Sequence, residues 1–182
     1  WKVYDRTEGL IQDLRGRLAD TPKAGEKDLI LYEDAALYVL YHRHLTPISH
    51  AMFGPPGTRR PSKRWGFYSE FRRGWEDLLE VAGVAFPSKH QAPHLFACFS
   101  QIRRAFQHIF LNIIGGSLSV GRLRAAVWES IFTCDMRRYR AVLYRRMGDF
   151  TTLITGPSGT GKELVARAIA LSRYIRFDEE RN

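Results

Sequence analysis

Apolar residues recur at three- and four-residue steps along most of this chain, the spacing of helices that bury one face. Between Tyr4 and Leu18 the positions Leu10, Ile11, Leu14 and Leu18 share a side, and Thr21-Pro22-Lys23-Ala24-Gly25 breaks the run. Asp28 to Leu45 is more evenly apolar, carrying Leu29, Ile30, Ala36, Leu37 and Leu40, which predicts a largely buried helix ended by Pro47. Gly54-Pro55-Pro56-Gly57-Thr58-Arg59-Arg60-Pro61 reads as a loop. Beyond it Phe67, Phe71, Trp75, Leu78 and Ala82 predict a third helix closing near Gly83, and Pro87 to Pro93 forms a further loop. From His94 the pattern tightens: Leu95, Phe99, Ile102, Phe106, Ile109 and Ile113 make a heptad-like seam, which fits either a core helix or a dimer stalk.

Gly115-Gly116-Ser117 interrupts the seam and sets the expected domain boundary, with residues 1–112 as one region and 113–182 as the next. Two more helical segments follow, Val120 to Phe132 and Asp135 to Met147, with Ser119 and Asp135 available as N-caps. The character of the sequence then changes. Gly148-Asp149 leads into a short β-prone run, Thr151 to Thr155. After it come Gly156-Pro157-Ser158-Gly159-Thr160-Gly161-Lys162 and an amphipathic stretch from Glu163 to Ala170. Strand, glycine loop and helix in that order form a nucleotide phosphate cradle: loop N–H groups turn inward and the helix N-terminus adds its positive dipole end. Gly156 and Gly161 have the required spacing, Gly159 permits close approach, and Lys162 reaches the β- and γ-phosphates. Gly156 through Glu163 are therefore the expected nucleotide-binding residues, for ATP or GTP with Mg²⁺.

One position departs from the usual phosphate loop. A Ser or Thr normally follows the lysine and ligates Mg²⁺; here Glu163 stands there, longer and charged, so metal binding must be arranged differently. Only 20 residues follow Lys162, too few for a second strand bearing the metal-binding and water-activating acids, and no complete catalytic set is expected in these residues. Two other patterns lack the chemistry they suggest. Gly54-Pro55-Pro56-Gly57-Thr58 imitates a phosphate loop, but Arg59 and Arg60 replace the second glycine and the lysine. His42 and His44 point to different sides of a helix, so no protein metal site is expected from them or from His50.

Composition changes this picture little. With 45% hydrophobic residues the 182-residue chain can bury a core, and 28 Lys and Arg against 19 Asp and Glu give +9. The densest basic run, Arg137, Arg138, Arg140, Arg145 and Arg146, alternates with Met136, Tyr139, Leu143 and Met147, which reads first as a solvated helix face and second as a phosphate or nucleic-acid contact. Cys98 and Cys134 form no C-x-x-C pair, and nothing suggests a disulfide scaffold or a zinc site. No apolar run approaches the roughly 20 residues of a membrane span, and the first residues do not read as a signal peptide, so a soluble, cytoplasmic protein without membrane partners is expected. The start at Trp1 suggests a fragment.

The segment Thr155-Gly156-Pro157-Ser158-Gly159-Thr160-Gly161-Lys162-Glu163-Leu164-Val165-Ala166-Arg167-Ala168-Ile169 closely resembles the Walker A region of sigma-54-dependent bacterial transcriptional activators, the enhancer-binding AAA+ ATPases. That family shares the Glu after the lysine and the L-V-A-R-A-I helix, while Pro157 replaces its usual glutamate. Ile113-Ile114-Gly115-Gly116-Ser117 looks like the family's I-I-G-x-S opening, which makes Ile113, Ile114 and Gly115 candidates for the adenine side; an ordinary helix end accounts for them equally.

The resemblance implies a fold class: a mainly α N-terminal region followed by the start of an α/β P-loop (AAA+) domain that is incomplete in this chain. It implies a helical regulatory region over 1–112, without the strands and acidic pocket of a phosphoacceptor receiver domain, and a sigma-54 interaction domain beginning at 113. The full-length protein would form a homo-oligomeric ring, hydrolyse ATP to remodel the sigma-54 RNA polymerase holoenzyme, and contact DNA through a region absent here. Two alternatives stay open: a non-hydrolysing nucleotide-binding regulatory module, and a different P-loop ATPase or kinase.

Overall fold

The computed structural model describes residues 2–20, 23–55 and 65–181. Among these it is all-helical, 69% helix with no strand and no sheet. The start of an α/β P-loop domain is thus not present, which corrects the expected fold class. Thr151 to Thr155 has strand-forming composition, but a strand exists only when a neighbour takes up its backbone groups. No described residue pairs with this run, and it lies in neither helix nor strand.

The chain divides into two compact units: residues 1–92 with 179–182, and residues 93–178. The expected boundary at Gly115-Gly116-Ser117 falls inside the second unit. In the first, α1 (Lys2–Asp20) and α3 (Tyr68–Leu79) both pack on α2 (Glu26–Phe53). Ile11 is the buried contact of α1, whereas Leu10 on the same predicted side is 54% exposed. The long helix buries Tyr32, Ala36, Leu37, Val39, Leu40, Ile48 and Ala51, and α3 adds Phe71 and Leu78. Gly74 allows the close approach of α3, since a Cβ there would lie 3.1 Å from Leu40 Cδ1. The Tyr32 hydroxyl donates to the Leu78 carbonyl at 2.9 Å, and its ring stacks on Phe86.

Pro47 does not end α2, contrary to the sequence expectation; the helix runs through it to Phe53. Ile48 and Ala51 beyond the proline are buried, and that burial, at about 25 cal/mol per Å² of apolar surface, holds a turn that local propensity disfavours. The helix stops at Gly54, whose φ of 80° suits glycine and whose N–H bonds the His50 carbonyl. The third helix ends at Leu79, before the expected Gly83. Of the phosphate-loop imitation, Pro56 to Arg64 lie outside the described residues.

The second unit opens with α4 (Ala92–Asn112), where Pro93 sits in the first turn and so sacrifices no helical hydrogen bond. Its first half is buried nearly all round, from Leu95 through Gln101, so the helix is mainly a core element. The seam opens to solvent at Phe106, 42% exposed and stacked on Phe110. α5 (Leu118–Phe132) starts on Ser117, whose hydroxyl accepts from the Val120 N–H; the expected cap was Ser119. Asp135 caps α6 as expected, accepting from the Arg138 N–H. The predicted helix to Met147 breaks up, however: α6 covers only Met136–Ala141, followed by 3₁₀ turns at Leu143–Arg145 and Met147–Asp149. No acidic residue lies between Asp135 and Asp149, so the stretch from Met136 to Gly148 has no acid of its own to alternate with its arginines along a helix face. α7 (Lys162–Ala170) completes the unit and packs on α5.

Candidate functional site

Three glycines shape the loop. Gly156, Gly159 and Gly161 have φ of 154°, 77° and 77°, conformations that side-chain-bearing residues rarely adopt. A Cβ on Gly156 would also approach Thr160 Oγ1 to 3.2 Å. The Thr160 hydroxyl donates to the Pro157 carbonyl at 2.8 Å, closing the turn. Lys162 then reaches back over the loop, its Nζ donating to the carbonyls of Gly156 at 3.0 Å and Pro157 at 2.6 Å. The first and last residues of the motif are thereby brought together, with Ser158 and Gly159 exposed between them.

The helix behind the loop has no capping side chain: Gly161 occupies the N-cap position, and its carbonyl accepts from Leu164 and Val165 N–H groups. Donors of the first turn are left for solvent or an anion. Glu163 is exposed in this turn, where the dipole favours a carboxylate. It adds negative charge beside the loop, next to the Lys162 ammonium.

The other end of α7 is tied down. Ala168 is fully buried in a cluster with Ala105, Ile109, Ile113, Val127, Ile131, Phe132 and Tyr139, and Val165 and Ile169 pack against it. Past the helix, Ser172 Oγ donates to the Ala168 carbonyl at 2.6 Å, and the Ser172 carbonyl accepts from Gln101 Nε2 at 2.9 Å. The Tyr139 hydroxyl donates to Gln101 Oε1 at 2.6 Å, and burial holds this phenol well above its ordinary pKa. Nearby, His94 Nε2 lies 2.9 Å from the Arg140 carbonyl and Nδ1 lies 2.9 Å from the Tyr174 hydroxyl. A carbonyl can only accept, so Nε2 carries the proton and the tyrosine donates to Nδ1. Burial keeps this imidazole below its usual pKa, in keeping with the neutral form.

Of the adenine-side candidates, Ile113 is buried in the same cluster as Ala168, and its carbonyl accepts two hydrogen bonds from Arg124, at 2.9 and 2.7 Å. Ile114, by contrast, is 81% exposed. Gly115 has φ of 140° and a Cβ there would lie 3.0 Å from Val120 Cγ2, so the glycine is required by the turn itself.

A cavity of about 510 Å³, within the usual range for small-molecule pockets, lies in the second unit, and none of residues 156–163 lines it. Tyr139, Tyr144, Tyr174, Arg145 and Arg173 contribute to its lining, together with residues 148–152. Sequence reasoning missed Gln101, Ser172 and Tyr174, which carry no motif and become meaningful only through contacts some 70 or 80 positions away.

Elsewhere, His42 lies against Tyr4, Tyr38 and Tyr41, while the buried His44 sets Nδ1 against the Leu40 carbonyl and its ring against Phe71. Among the described residues no group of three or more His, Cys, Asp or Glu is placed to hold a metal ion, and no helix is long and apolar enough to cross a membrane. Comparison with protein-family models, with curated proteins and with solved structures finds no match to this chain.

Proposed function

We propose that Gly156 to Glu163 binds the phosphates of ATP, and that the chain is the nucleotide-binding part of a sigma-54-interacting transcriptional regulator. The observation that carries the first half is the position of Lys162: its ammonium is held on two loop carbonyls, at the uncapped start of α7 and within reach of the phosphate position. An arriving triphosphate would take the loop N–H groups and draw Lys162 from those carbonyls. Thr160 and Glu163 are the loop's own oxygen donors near the cation that travels with the nucleotide. Mg²⁺, when bound, would neutralise phosphate charge. The second half rests on the resemblance of residues 153–169 alone, with the sigma-54 polymerase holoenzyme as partner.

The all-helical fold favours a second reading, a nucleotide-binding module that does not hydrolyse, because among the described residues no strand brings an acidic pair to the loop. Titration calorimetry with Mg·ATP and a phosphate-release assay separate the two. Binding with turnover supports an ATPase, and binding without turnover supports the module. Lys162→Ala should weaken ATP binding by about 10- to 100-fold, the worth of a charge-assisted hydrogen bond of roughly 1.5–3 kcal/mol. Unchanged affinity in that variant would remove the loop assignment.

A further inference from the structure

The net charge of +9 hides an imbalance that the division into units exposes. Residues 93–178 carry 13 Lys and Arg against 5 Asp and Glu, whereas residues 1–92 with 179–182 carry 15 against 14. Nearly the whole excess, +8, sits in the second unit, and 12 of its 13 cations are arginines. Arginine presents a planar fork that fits phosphate oxygens in pairs.

Several of these arginines fall close together. Arg138 is exposed on α6, and Arg145 and Arg146 are exposed in the turn that packs against it. Arg145 and Arg173 line the 510 Å³ cavity, and Arg176 follows three residues later, exposed as well. Two of the unit's five acids neutralise them weakly: Asp135 is engaged as the cap of α6, and Asp149 approaches Arg146 at 3.9 Å with both side chains mostly in water.

Aromatic surface interleaves with this charge. Tyr144 and Tyr174 meet at 4.7 Å between ring centroids on the cavity wall, Arg145 lies over the Tyr144 ring, and Phe150, also on the wall, is 63% exposed. Cationic forks beside an exposed ring and two half-buried ones suit a strand whose bases are free to stack. They suit a duplex poorly, since α6, at six residues, is too short to read a major groove.

We propose that the second unit binds single-stranded nucleic acid, with phosphates on Arg138, Arg145, Arg146, Arg173 and Arg176 and a base against Phe150 and the tyrosines of the cavity mouth. This surface is separate from the glycine loop and does not depend on ATP binding.

Fluorescence anisotropy of the whole chain with a labelled oligothymidylate of about 20 nucleotides tests it. Five phosphate contacts imply a logarithmic salt slope near −3.5, a loss of roughly 100-fold in affinity between about 50 and 200 mM NaCl. Arg145→Gln with Arg173→Gln should flatten that slope to about −2. Phe150→Ala should weaken binding about tenfold by removing a stacking platform from a side chain that is largely solvent-exposed. Both variants should bind ATP as the parent does, so failure of this proposal and failure of the ATP site are distinguishable. Arg72→Gln with Arg73→Gln, in the first unit, should leave the oligonucleotide affinity unchanged. Absent or salt-insensitive binding, equal affinity for a duplex, full competition by polyaspartate, or a Phe150→Ala variant that binds like the parent would each overturn it.

Discussion

Buried polar side chains in this protein are mostly committed to fixed partners, and their protonation follows from that. His94 and His44 are both held below the usual imidazole pKa of 6.5, chiefly by burial. A histidine depressed in the folded state is stabilising in its neutral form above the unfolded value, and that contribution is lost as pH falls from 6.5 toward the folded one. Protonating His94 would also force Nδ1 to donate where it now accepts from Tyr174. The urea midpoint is therefore expected to fall between about pH 7 and pH 5, and His94→Gln should reduce that dependence. A midpoint flat across this range would show that neither imidazole is coupled to folding. On the alkaline side Cys98 behaves in the opposite sense: burial lifts its thiol to about 12, so it resists alkylation while the exposed Cys134 reacts.

At the scale of elements, much was legible and the exceptions have physical causes. The three helices of the first unit, the long α4 and the Asp135 cap follow from apolar spacing and end chemistry. Pro47 misled because propensity is local, while Ile48 and Ala51 are held by burial against other segments. Thr151 to Thr155 misled for the converse reason, since threonine and isoleucine favour a strand only when there is a neighbour to pair with. Within the candidate site the tight turns at Gly156, Gly159 and Gly161 were legible because glycine is the residue that takes such φ values, but the Tyr139–Gln101–Ser172 chain that steadies α7 was not. Two glycines near the start of α5 give a direct test of element-level reasoning. Gly121 is exposed within the helix with open space where a Cβ would go, so Gly121→Ala should stabilise by about 0.5–1 kcal/mol. Gly115→Ala places a Cβ against Val120 at a φ of 140° and should destabilise by about 1–3 kcal/mol. Thermal unfolding of the two variants should move in opposite directions; shifts of the same sign would count against the turn geometry at Gly115.

For the whole molecule the dominant feature is the uneven charge. A unit carrying 13 cations against 5 anions repels itself, and that repulsion weakens as added salt shortens the screening length from about 30 Å at 0.01 M to about 8 Å at 0.15 M. The partly exposed ion pairs of the first unit, Arg15–Asp77 and Arg43–Glu8, weigh less, at about 0–1 kcal/mol each. The thermal midpoint should accordingly rise with NaCl over this range; a fall would mean that attractive pairs outweigh the self-repulsion. The glycine loop stands apart from this balance. Its helix is clamped at Ala168 and Ser172, with Val165 and Ile169 also packed on the core, and the exposed loop lies at its N-terminal end. A change at exposed Ser158 removes little buried surface, whereas Gly159 is held by its φ of 77° and Thr160 by its bond to the Pro157 carbonyl. The surface of the loop can therefore vary at Ser158 with little cost in foldability, while its path is fixed by its glycines.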